Sequence, residues 1–185
     1  MVIMMPNNET KLANAITQSQ VIMTLSSKEE YSEQRINLIK IIAENYNKIC
    51  CVTINKSYNT AIKEFDKVGI DKNKFVFIDA SPGDGKKSAL KGKCIFISTP
   101  SDITAINIEF SNLLDKTKFE QSLFDSIDTL QVYTNTMNII KLVHALINKI
   151  RTTESKIVFL TTEKDSELTK ELYMFVDKVI DLTAS

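Results

Sequence analysis

Short runs of consecutive apolar residues alternate along this chain with longer segments in which apolar side chains recur every three or four positions. The runs cover residues 21–25, 49–54, 75–78, 94–97, 157–160 and 178–182, with one more in which Ser122, Leu123 and Phe124 run into Asp125. Each is too brief for a helix and rich in Ile, Val and Phe, which predicts buried strands. From Ser32 onward, Ile36, Ile39, Ile42, Ala43 and Tyr46 share one helical face, with Lys40 and Glu44 turned outward. Ser57 is placed to cap a helix whose buried face is Tyr58, Ala61, Ile62, Phe65 and Val68, and Gly69 to end it. Pro100 and Ser101 open another, with Ile106, Phe110, Leu113 and Leu114 inward. The strongest stripe is Ile139, Ile140, Val143, Leu146, Ile147 and Ile150, in a helix over residues 135–151. Leu168, Leu172 and Phe175 mark a last helix. Residues 1–20 are poorly defined, with Leu12, Ala13 and Ile16 suggesting a short helix after the Asn7-Asn8 turn.

Strands that are apolar throughout, separated by amphipathic helices, predict an α/β fold: a mostly parallel, doubly wound sheet between two helical layers. The whole chain, residues 1–185, reads as one such domain. Ligands of doubly wound sheets bind outside the carboxyl ends of the strands. Those ends are Ser26-Ser27, Asn55-Lys56, Asp79, Ser98-Thr99, Asp125-Ser126 and Thr161-Thr162.

Composition removes several function classes. Lys plus Arg equals Asp plus Glu, at 23 each, so the chain lacks the basic excess of a nucleic-acid binder. No apolar run approaches the roughly 18 residues of a membrane span. The opening MVIMMPNNETK has no basic leader, so a reducing cytoplasm is the expected compartment. Cys50 and Cys51 are adjacent on a strand and face opposite sides of it, Cys94 lies on another, and all three are expected in the core. No Cys-x-x-Cys or histidine partner offers metal spacing, and no metal ligand is assigned.

The order of parts resembles the RecA/KaiC-type P-loop ATPase superfamily, in particular the small KaiC-like proteins of archaea. The similarity spans residues 21–182 and rests on several phrases in sequence. They are the strand-loop-helix opening, VGIDKNKFVFIDA, the helix start STPSDIT, the Walker B-like SLFDSIDTL, and KIVFLTTEKD leading to FVDKVIDL. The resemblance implies a RecA-like fold, with Asp125 at the magnesium-supporting aspartate and Thr161-Thr162 at the sensor position.

The chemistry of that family is largely missing. A phosphate loop needs GxxxxGK[ST]: glycines so that backbone amides wrap phosphate, a lysine for the β and γ phosphates, and a hydroxyl for magnesium. After residues 21–25 this chain has SSKEEYSE, with no glycine and with Glu29, Glu30 and Glu33 set where a polyanion would lie. Where KaiC-like ATPases carry a water-orienting glutamate after the second strand, Asn55 and Lys56 stand. A second glycine-containing stretch, Gly83-Asp84-Gly85-Lys86-Lys87-Ser88, follows a strand but has Ala80 five residues before Gly85 and Lys87 where a hydroxyl is needed. It reads as a polar surface loop over residues 83–92. With Lys91 and Lys93 it gathers four lysines, open to an acidic partner or membrane surface.

These residues predict a catalytically inactive relative of the KaiC-like ATPases, kept as a regulatory or scaffolding module that binds a protein partner or further copies of itself. No catalytic residue is assigned. Asp125, Ser26, Ser27 and Thr161 remain as a vestigial nucleotide site, and no cofactor is expected, ATP with magnesium being disfavoured. The alternative is a non-hydrolysing module that holds a nucleotide or small polar ligand with hydroxyls at Ser26, Ser27, Ser98, Thr99, Ser126 and Thr161. An unrelated small α/β enzyme is a third reading, without a Gly-x-Gly-x-x-Gly turn or Gly-x-Ser-x-Gly elbow to support it. Asp128 is either a cap of the turn that follows or a second carboxylate beside Asp125. His144 is a boundary-packing residue, and Arg151 complements its helix dipole.

Overall fold

A central sheet runs through the molecule because nearly every strand is apolar on both faces and therefore needs cover on both. The computed structural model describes residues 8–83, 89–91 and 93–183. Its strands are β1 (Val21–Leu25), β2 (Ile49–Thr53), β3 (Phe75–Asp79), β4 (Ala89–Lys91), β5 (Cys94–Phe96), β6 (Gln121–Asp125), β7 (Lys156–Thr161) and β8 (Lys178–Asp181). They lie in the order β4-β5-β3-β2-β6-β7-β1-β8. All neighbours pair in parallel except β4, which pairs antiparallel with β5. The helices are α1 (Asn8–Gln18), α2 (Tyr31–Asn45), α3 (Tyr58–Val68), α4 (Ile103–Lys116), α5 (Thr136–Arg151) and α6 (Glu167–Leu172).

The two-residue period of the strands splits the core into two halves. Val21, Met23 and Leu25 face one half with Cys50, Phe124 and Phe159, beneath Phe110 of α4, Val143 and Leu146 of α5, and Leu168 of α6. Ile22, Cys51, Leu123 and Val158 face the other, beneath Ile16 of α1, Leu38 and Ile42 of α2, and Phe65 of α3. Cys50 and Cys51 thus point to opposite layers, and all three cysteines are buried. This is the doubly wound, three-layered α/β architecture that the sequence predicts. No described helix is long and apolar enough to cross a membrane.

Local chemistry sets most boundaries. Ser57 accepts from the Thr60 amide to start α3, and Gly69 ends it at φ 74°, a left-handed turn that a side chain would strain. Asn135 caps α5 through the Asn138 amide, and Asp102, not Ser101, caps α4 through Ala105. Four expectations need correction. Residues 89–91 lie inside the stretch read as a loop, yet they form β4, which pairs Leu90 with Ile95; three residues are too few to show a period. Val68 is 39% exposed, being the last residue of α3, where the chain turns away at Gly69. On α5, Leu142 is buried in place of Ile140, which is half-buried. On α2 the buried stripe begins at Arg35, with Ile36 only half-buried.

Candidate functional site

Asp125 ends β6, and strand parity decides where it points. Leu123 faces the layer of α1, α2 and α3, so Asp125, two residues on, faces it too, directly under α2. Its side chain is completely buried. Burying a lone carboxylate in an apolar layer is costly, and α2 supplies the compensation. Arg35, also completely buried, donates through Nε to Asp125 Oδ2, and Tyr31, one turn earlier, donates its hydroxyl to Asp125 Oδ1. Arg35 reaches further, with Nη1 donating to Glu64 Oε2 of α3 at 2.9 Å, and Glu64 Oε1 is paired with Lys56. The result is a ladder of alternating charge, Asp125-Arg35-Glu64-Lys56, running from the end of β6 to the turn after β2. Burial works against the charged form of Arg35, but the Asp125 carboxylate outweighs it and holds the guanidinium above its ordinary pKa. Tyr31 is also pushed up, first by burial and then by the neighbouring Asp125 charge, so its phenol stays a proton donor.

A ring of neutral groups closes the other side. Asn55 Nδ2 donates to the Tyr31 hydroxyl and to Ser126 Oγ, both at 3.1 Å, while Thr129 Oγ1 donates to Asn55 Oδ1 at 2.6 Å. Asn55 therefore orients protein groups at the position where the resemblance would have a water-orienting glutamate. The Asp125–Ser126 peptide is cis.

The turn between β1 and α2 is filled from within. Ser26 is 4% exposed, and its hydroxyl donates to Gln34 Oε1 at 2.5 Å. The Ser27 amide donates to the same oxygen at 3.3 Å, and Gln34 Nε2 in turn donates to Glu30 Oε2 at 2.7 Å. Glu30 is the N-cap residue of α2, its carboxylate bonded to Gln34 and not to the first amides of the helix, and it places a negative charge at the positive helix end. Lys28 pairs outward with Glu163.

The predicted site residues thus separate into two groups. Asp125, at the end of β6, and Ser26 and Ser27, after β1, stand on either side of β7 and are engaged by Arg35, Tyr31 and Gln34 of α2. Thr161 is buried on the opposite face of the sheet, 1% exposed, and accepts from the Glu163 amide at 3.3 Å. The hydroxyl set of the small-ligand reading does not converge. Ser98 and Thr99 follow β5, which β3, β2, β6 and β7 separate from β1, and at about 4.8 Å per strand that is more than 20 Å. Asp128 stands at the start of the turn it is expected to cap, but its side chain is turned to Thr162 and not to that turn or to Asp125. It starts a 3-10 turn, Asp128–Val132, and accepts from Thr162 Oγ1 at 2.6 Å and the Thr162 amide at 3.3 Å.

Asp79 ends β3 and binds the Tyr58 amide at 2.8 Å, helping to start α3. His144 is exposed and packs its ring 5.1 Å from that of Phe175. Arg151 donates to Asp177, a specific tie rather than a dipole contact alone. Of the lysine-rich loop, residues 84–88 and Gly92 lie outside the described residues.

Beside the ladder, at the carboxyl ends of β1, β6 and β7, a cavity of ≈ 490 Å³ opens between Lys28, Tyr31, Asp128, Thr129, Val132 and Glu163. Among the described residues, no group of three or more His, Cys, Asp or Glu side chains is placed to hold a metal ion.

No protein-family model matches the sequence, and no curated protein matches it. Among solved structures, the chain is similar to a KaiC-like protein of the hyperthermophilic archaeon Pyrococcus horikoshii, with a TM-score of 0.63 and 14% identity. The match covers 90% of this chain and 74% of that one. The fold is therefore RecA-like, of the kind found in KaiC-like proteins, as the order of sequence phrases predicts.

Proposed function

We propose that this chain is a RecA-fold module that does not hydrolyse ATP and that serves as a regulatory or scaffolding element by binding another protein. The observation that carries this reading is the engagement of Asp125 by Arg35 and Tyr31. In a phosphoryl-transfer site the aspartate at this strand end supports a magnesium ion, which needs an open oxygen and a triphosphate to bridge. Here both carboxylate oxygens are engaged by protein donors, and a guanidinium stands as the local cation. The turn after β1 supports the same reading, since its Ser27 amide is directed to Gln34 and a glutamate, Glu30, occupies the N-cap position of the following helix. With the chemistry removed and both layers of the core retained, what such a domain still offers is surface.

Turnover of ATP is the test. Purified protein with magnesium is expected to release no phosphate above a buffer control, and Asp125→Ala to behave the same. Turnover that disappears in Asp125→Ala would overturn the proposal. The protein-binding half is tested by whether the purified chain forms a saturable complex with a partner recovered by crosslinking in cells. Recovery of the chain alone, as an uncrosslinked monomer, would count against it.

A further inference from the structure

The cavity beside the ladder differs in charge from a phosphate site, and its groups divide in a way that points to an occupant. Lys28 and Glu163 pair with each other across the rim and cancel. Asp125, behind Tyr31, is compensated by Arg35. Asp128 is left over. Its Oδ2 accepts only from Thr162, a neutral donor, and its Oδ1 is buried with no hydrogen-bond partner among the described residues. The cavity therefore has a net charge of about −1, with one lysine, Lys28, shared between the Glu163 and Asp128 carboxylates, and hydroxyl and amide groups from Tyr31, Thr129 and Asn55 around it. A polyanion is repelled by such a site, and a cationic donor completes it.

The rim supplies a second, independent feature. Val132, which lines the cavity, is 78% exposed. An exposed apolar side chain beside a polar hole is the composition of a protein contact with a charged anchor at its centre.

We infer that this cavity receives a basic side chain, an arginine or lysine, from a protein partner: the cation reaches the Asp128 carboxylate and an adjacent apolar residue of the partner covers Val132. The inference rests on the proposal that the site holds no nucleotide, and it adds to it the place and the chemistry of the contact. The guanidinium of arginine is the better fit, since its several donors can serve the Asp128 carboxylate and a neighbouring hydroxyl or amide oxygen at once, with a turn of the Asp128 side chain bringing its buried Oδ1 to the cavity. Val132 and the Lys28–Glu163 pair are all exposed at the rim, so they can part to admit it.

The test uses the full chain and two peptides, acetyl-Leu-Arg-amide and its citrulline counterpart, which has the same shape and no charge. Backbone amide resonances of Thr129, Val132 and Thr162 are followed by NMR during titration. The arginine peptide is expected to give saturable shifts in the millimolar range, and the citrulline peptide to bind at least about tenfold more weakly. Asp128→Asn, which keeps an oxygen for Thr162, is expected to remove the difference between the two peptides. Equal response to both peptides in the unaltered chain, or none at tens of millimolar, would overturn the inference without needing any variant to fold. Agmatine binding as tightly as the arginine peptide would overturn the protein source of the cation. A parallel titration with MgATP separates the two levels. Saturable shifts there overturn the underlying proposal, whereas silence with both MgATP and the arginine peptide overturns the docking site alone.

Discussion

Arg35 and Asp125, ninety positions apart in sequence, form an ion pair in which neither side chain has any exposed surface. The helix after β1 thus puts its own cation against the strand end where a nucleotide enzyme would hold a metal ion. Arg35 can sit there only because it lies on the stripe it shares with Leu38, Ile39 and Ile42, which turns it into the sheet. Removing Arg35 leaves Asp125 buried with only the neutral Tyr31 donor, and removing Asp125 leaves Arg35 with only Glu64. Arg35→Met and Asp125→Leu are each expected to cost about 3–5 kcal/mol of unfolding free energy, and the double substitution to recover much of that loss. Urea denaturation measures all three. Single variants with unchanged midpoints would show that the pair is not buried as described.

Tyr31 contributes a smaller share. Tyr31→Phe removes the donor to Asp125 Oδ1 and the acceptor for Asn55 Nδ2 while leaving the ring in place. The expected loss is about 1–3 kcal/mol, read from the same denaturation curves, because a buried carboxylate oxygen is left without a partner. Asn55→Ala is expected to cost less, since Asn55 is exposed and its neighbours can turn to water.

At the opposite edge of the sheet, Asp177 ties three segments. It accepts from the Val21 amide at 2.8 Å, from the Gln20 amide at 3.1 Å, and from Arg151 at the end of α5. The Arg151 hydrogen bond, the largest cause, holds its carboxyl below the usual range against the opposing effect of burial. A depressed folded pKa stabilises the fold above the unfolded value of about 3.9, and that contribution fades as pH falls through the folded pKa. Asp177 is about one-third exposed, so the effect is screened. Asp177→Asn is expected to lower stability by about 1 kcal/mol at pH 7 and to leave stability near pH 2–3 almost unchanged. Thermal melts across that range check it; an equal loss at both ends would contradict the assignment.

The cysteines give the alkaline counterpart. Burial pushes the Cys50 thiol up to about 12, and Cys51 is raised as well, again chiefly by burial. A raised folded pKa means that stability is whole below the unfolded value of about 8.5 and declines as pH climbs from there towards the folded one. Native protein at pH 8 is expected to react with a thiol reagent only as fast as it opens, and unfolded protein to react at once with all three thiols. Rapid labelling of Cys50 in the native state would place it outside the core.

Strands and helices were legible because burial on both faces leaves an unbroken apolar run and burial on one face leaves a 3.6-residue period. The strand ending at Asp125 and the Ser57 and Gly69 boundaries of α3 are instances. Arg35 was not, because a charged residue reads as surface unless the stripe is extended backwards: it stands four residues before Ile39 and seven before Ile42. A lone carboxylate at the end of an apolar strand was the other half of that signal, since it needs a buried cation. The scatter of the strand-end hydroxyls followed from strand order, which periodicity does not encode: Ser98 and Ser26 look alike along the chain and lie at different ends of the sheet. The partner of Asp128 is hidden for a similar reason, since Thr162 lies just past the end of β7, a strand that enters much later in the chain.

Calorimetric titration of MgATP into the purified chain tests the central claim most directly. With Asp125 held by Arg35 and Tyr31, and the Ser27 amide held by Gln34, no saturable heat is expected up to millimolar nucleotide. A saturable MgATP isotherm that requires magnesium and vanishes in Asp125→Ala would mean that the carboxylate is available to a metal ion, and would contradict the account.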